Sequence, residues 1–166
     1  MRKGSWRMAV VAFITAGSAV AVAQHGSATG TLTVNGKAST MKYAYAYPEP
    51  PDSKGGIDIV MIMSDQPLPR ANLKDVDKLH ELSDHGKFEG VRLVVHDDQR
   101  VMSAAPFSKA LTGYVSTALY AKFTFKQFTP NGIDARVQTP TGGGDLAGQK
   151  WSYDISFQVP KEEIGK

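Results

Sequence analysis

The sequence predicts an all-β fold: an antiparallel β-sandwich, or alternatively a small β-barrel, of about seven to nine strands with one short helix near 72–85. Three observations carry this. Apolar residues alternate with polar ones along most of the chain, the mark of strands with one buried face. Turn-forming pairs punctuate those runs at short intervals. Only one segment has helical spacing. The 166 residues suffice for a single buried core. No internal repeat or second composition regime divides them, so residues 30–160 are expected to form one β-domain.

The elements follow in order. Leu32 and Val34 alternate with Thr31 and Thr33, and Asn35-Gly36 then supplies a hairpin turn because both residues tolerate positive φ. Tyr43, Tyr45 and Tyr47 share one face of the next strand; Lys42, Ala44 and Ala46 share the other. Pro48 to Pro51 and Gly55-Gly56 frame a loop. Ile57 to Ser64 is an apolar run with one Asp, the pattern of a central strand, ended by Pro67 and Pro69. Between 72 and 85, Leu73, Val76, Leu79 and Leu82 make a narrow apolar stripe. Asn72 is placed to cap that helix and Gly86 to end it.

Strand signals then resume. Val91, Leu93 and Val95 face one way, and Asp97-Asp98 turns the chain toward Val101. Leu119, Ala121, Phe123 and Phe125 are expected to face inward, with Lys122 and Lys126 in water. Thr129 to Gly132 forms a turn in which Pro presets φ and Gly takes the left-handed position. Ile133, Ala135 and Val137 alternate with Asp134, Arg136 and Gln138, and Gly142 to Gly144 reads as a flexible loop. Trp151, Tyr153, Ile155, Phe157 and Val159 alternate with Ser152, Asp154, Ser156 and Gln158, the clearest amphipathic strand in the chain.

The N-terminus carries an address. Arg2, Lys3 and Arg7 precede an uncharged apolar run from Met8 to Ala23, and Ala21-Val22-Ala23 supplies the small residues of a signal-peptidase site. The run is short for a membrane span. Residues 1–23 are therefore expected to be a signal peptide, cleaved between Ala23 and Gln24. Residues 24–29 would form a flexible lead and 161–166 a polar tail, with the mature protein periplasmic or secreted and without a membrane span. Removal of the three basic residues takes the formal charge from +3 to zero. The sequence pI of about 9.1 thus belongs largely to the leader, and nucleic-acid binding loses its electrostatic basis.

The pieces Gly30-Thr31-Leu32-Thr33-Val34-Asn35-Gly36-Lys37, Ala44-Tyr45-Ala46, Ser64-Asp65-Gln66-Pro67-Leu68-Pro69, Gly132 to Val137 and Trp151 to Phe157 together cover much of the domain. In them the chain resembles an uncharacterised family of exported bacterial β-domain proteins. The resemblance implies export and a β-fold. It carries no activity and no functional residue.

Chemistry-bearing constellations are sparse. The chain has no cysteine, which removes disulfides, thiolate metal sites, a catalytic thiol and a lipoprotein anchor. His80 and His85 are five apart, so on a helix they diverge by roughly 140° and cannot share a metal. The pairs four apart, His80 with Asp84 and Glu81 with His85, read as surface electrostatics. His25 would form a copper-binding brace only as the first mature residue, and only with His80 or His96 converging on it. No G-x-S-x-G elbow or phosphate loop is present, and Asp97-Asp98 is explained as a turn. No cofactor and no metal are expected.

Tyr43, Tyr45 and Tyr47 are the binding candidates. An outward face would be an aromatic platform for a glycan or peptide; an inward one would be core, which the small Ala44 and Ala46 opposite favour. The expected function is that of an exported, non-enzymatic β-domain binding a protein or cell-envelope component. The alternatives are a small-ligand or carbohydrate binder using the tyrosine face, and a secreted hydrolase whose site, assembled from distant strands, would hold His96 in a pocket with carboxylates.

Overall fold

Alternation becomes strand almost wherever it occurs. The computed structural model describes residues 25–49, 57–112, 121–129, 132–146 and 148–160. In chain order its elements are β1 (Gly26–Val34), β2 (Lys37–Thr40), β3 (Tyr43–Glu49), β4 (Asp58–Ser64), a 3-10 turn (Arg70–Asn72) and α1 (Val76–Asp84). Then come β5 (Gly90–His96), β6 (Val101–Phe107), β7 (Lys122–Thr129), β8 (Gly132–Gln138), β9 (Gly144–Leu146) and β10 (Gln149–Pro160). The expected signal peptide, most of the loop after Pro48, Leu119 and the polar tail lie outside the described residues.

Eight strands form one antiparallel path in the order β6-β5-β4-β3-β1-β10-β8-β7, with β2 added to β1 and β9 to β10. The sheet curls into a half-barrel. A sandwich of two separate sheets is not what this strand order describes. The reason is in β1 and β10, strands of 9 and 12 residues that pair along eight positions and join the two halves into one surface. Curling brings the inner faces together. Ala44, Met61, Met63, Val91 and Leu93 from one half share a single buried cluster with Val137, Ile155, Phe157 and Val159 from the other. Apolar burial on that inner face is the main stabilising term, as it would be between stacked sheets.

β10 follows its pattern: Trp151, Tyr153, Ile155, Phe157 and Val159 are all buried, while Asp154, Ser156 and Gln158 are exposed. β1 starts earlier than the alternation suggests. Gly26 to Thr29, expected as a flexible lead, is strand, with Gly26 and Ala28 buried between neighbours. A Cβ on Gly26 would lie 2.2 Å from the Gln158 carbonyl oxygen, so the small residues there are what lets β1 thread between β3 and β10. β3 likewise runs on through Pro48 and Glu49, which pair with Ile59 and Asp58.

The glycine run after Pro140 is not a slack linker. Gly144 pairs with Trp151, and a Cβ on it would meet the indole ring at 2.3 Å. Absence of a side chain is the condition for this close approach.

The outer face of β3–β6 is covered by residues 65–88. The helix begins at Val76 rather than 72. Asp75, not Asn72, is the cap, and its Oδ1 accepts from Lys78 N–H at 2.9 Å, because the 3-10 turn already occupies Arg70–Asn72. Gly86 at φ +65 ends the helix. Gly86 N–H donates to Ser83 and Lys87 N–H to Leu82, which satisfies two terminal carbonyls. Leu73 and Leu79 bury against Val60, Ile62, Phe88 and Phe107. No helix among the described residues is long and apolar enough to cross a membrane.

Candidate functional site

The tyrosine strand is a clamp rather than a platform. Tyr45 and Tyr47 are 8% and 2% exposed, beneath the covering segment. Tyr47 Oη donates to the Leu73 carbonyl at 2.8 Å, and Leu68 N–H donates to Tyr45 Oη at 2.8 Å. Burial pushes both phenols above their ordinary pKa. Tyr43 is half-buried, with the His25 ring set edge-on against it at 4.7 Å. Ala44 and Ala46 are buried on the opposite face, so both sides of β3 are core. Of the candidate binding residues Tyr43, Tyr45 and Tyr47, the last two lie in the core beneath the covering segment, the inward alternative, and Tyr43 is half-buried at its margin.

The histidines have different surroundings. His80 lies against Phe107 at a ring separation of 4.8 Å, and His85 is the exposed C-cap of α1. Glu81 pairs with Lys78 at 2.6 Å, rather than with His85. His25 sits beside Tyr43, whereas His96 lies at the other end of the same ladder, level with Asp58 and Glu49. Six residues of strand separate the two levels, roughly 20 Å, so His96 does not converge on His25.

His96 does have carboxylate neighbours. Its Nδ1 is 2.7 Å from Asp58 Oδ1 and its Nε2 3.2 Å from Asp97 Oδ1. The hydrogen bond to Asp58 raises its pKa, against a smaller effect of partial burial, and the charges of Asp97 and Asp98 add to the rise. Ligand atoms of His96, Asp97 and Asp98 lie within 4.8 Å of one another. Arg100, however, already binds Asp98 through Nε at 2.6 Å. The arrangement is that of a histidine held between carboxylates at a β-turn.

Three open grooves lined by described residues lie away from His96. One of about 460 Å³ lies beside His25, Gln127, Asp134 and Gln158. One of about 430 Å³ lies under the glycine run, beside Thr31, Gln138 and Asp154. The third, of about 370 Å³, adjoins the last strand of the path, lined by Thr124, Phe125, Lys126 and Arg136.

That last strand, β7, is the unusual one. Phe123, Phe125 and Phe128 pair with Val137, Ala135 and Ile133, so all three face the inner side of the half-barrel. The register slips between Phe125 and Gln127, and this bulge keeps Phe128 on the same face as Phe125. Their ring centroids are 5.8–6.2 Å apart. Inward orientation holds as expected, but inward is not buried. Phe125 is 39% exposed, and no residue of β7 is fully buried. The sheet's other edge differs: β6 carries Pro106, which cannot donate, and Ala104 to Phe107 are buried. Among the described residues β7 pairs with β8 alone, and Lys122 and Lys126 make no ion pair. Alternation alone does not mark this site. The odd spacing of three phenylalanines, two residues apart and then three, was the available signal for a bulge with a one-sided aromatic cluster.

No protein-family model, curated protein or solved structure matches the chain.

Proposed function

We propose that this chain is an exported, non-enzymatic β-domain that binds a protein of the cell envelope through the open edge of β7. The observation that carries the reading is the Phe123–Phe125–Phe128 cluster, half-buried at Phe123 and Phe128 and exposed at Phe125, on a strand that pairs with β8 alone among the described residues. Such an edge offers backbone donors and acceptors beside apolar surface, the two requirements for holding an extended segment of another protein. Export is supported by the basic, apolar and Ala-x-Ala sequence of residues 1–23. The intact mass of the exported protein tests it, with a mature start at Gln24 expected.

A photoreactive phenylalanine analogue placed at Phe125 in the exported protein tests the binding site. It should give a discrete adduct that the same probe at exposed Thr29 does not. Adducts from both positions, or from neither, contradict the proposal.

A further inference from the structure

We infer that the segment bound at β7 is an extended strand of a partner protein in which acidic residues alternate with apolar ones. This rests on the reading of β7 as the binding edge and goes on to name the chemistry of what it takes. An added strand continues the pleat of β7, so its side chains alternate between the same two faces. On the inner face they would meet Phe123, Phe125 and Phe128, which select apolar residues. On the outer face lie Lys122, Thr124 and Lys126, all exposed. Lys126 and Thr124 line the outer groove together with Arg136 and Asp134, and the Gln158 side chain donates to the Asp134 carboxylate at 3.0 Å. Arg136 is already paired with Asp154 at 2.5 Å, whereas the two lysines make no ion pair among the described residues. Carboxylates on alternate positions of the incoming strand would complement them.

A second copy of this chain fits worse. Antiparallel pairing of two β7 strands about Thr124 sets lysine opposite lysine, and like charges directly opposed across a ladder are destabilising. Edge lysines of this kind disfavour self-association while leaving the edge open to a strand of opposite charge.

The test uses the mature chain and two synthetic peptides of equal length, one alternating Glu with Val and one alternating Lys with Val. The acidic peptide should bind at least tenfold more tightly, less so in high salt, and should slow amide exchange in β7 but not in β1. Lys122→Glu with Lys126→Glu should reverse the order of the two peptides. Both lysines are exposed, and the circular dichroism of the variant checks that it folds. Equal binding, no binding of either peptide, or protection elsewhere than β7 overturns the inference. If the Phe125 photoadduct forms while both peptides fail, the binding edge stands and the acidic strand is wrong. If the adduct also fails, both fall.

Discussion

Tyr47 Oη donates a 2.8 Å hydrogen bond to the Leu73 carbonyl, and with it strand β3 holds the segment that covers the outer face of the sheet. Tyr47→Phe keeps the ring but leaves a buried carbonyl without its donor. The expected loss is about 1–3 kcal/mol in urea unfolding. Were the tyrosine face a ligand platform, the same change would leave stability near wild type.

Phe157 on β10 faces Ala28 on one side and Ala135 on the other, and is fully packed. Phe157→Ala should cost about 3–5 kcal/mol, a large share of a typical total of about 5–15 kcal/mol. Gln158, exposed beside it, touches Asp134 at 3.0 Å, and Gln158→Ala should stay within about 0.5 kcal/mol. Denaturant melts of the pair separate a packed strand from a merely amphipathic one; equal small effects would contradict the packing.

Gly144 against the Trp151 ring makes a coupled pair. Gly144→Ala should destabilise by about 1–3 kcal/mol through overpacking. Trp151→Leu opens the space the new methyl needs, so the double variant should be more stable than the sum of the singles predicts, by about 0.5–3 kcal/mol. Strict additivity in a double-mutant cycle would show that the two do not touch.

His96 bridges Asp58 and Asp97 in its protonated form, and its folded pKa lies above the ordinary 6.5. Its contribution is therefore full below about pH 6.5 and is lost as pH rises through the raised folded value. Asp58→Asn removes the charge that holds it. The variant should be less stable than wild type at about pH 5.5, and the gap should narrow at about pH 8.5. A gap that stays constant with pH would mean the bridge carries no proton.

The sequence made strands legible where one face alone is buried. β10 and β8 alternate cleanly because their outer faces meet water. β3 was harder to read: tyrosines on one side and alanines on the other are both core, since a helix packs outside and the curled sheet inside. Curl itself leaves no mark in a period-two pattern, because strands of a half-barrel and of a sandwich both bury one face. The helix start shifted because Asn72 and Asp75 are both competent caps, and the 3-10 turn at 70–72 decided between them. The candidate site was half visible. The inward direction of Phe125 was readable from alternation. Its exposure was not, because that depends on β7 being last in the strand order.

Amide hydrogen exchange along β7 in the free mature protein tests the open edge most directly. An open edge leaves alternate N–H groups of residues 122–128 pointing to solvent, while those directed at β8 are held in the ladder. The account predicts two classes of amide within β7, fast and slow, with β8 and β10 slow throughout. Uniformly slow exchange across β7 would mean that the edge is already covered, and would contradict its role as a binding edge.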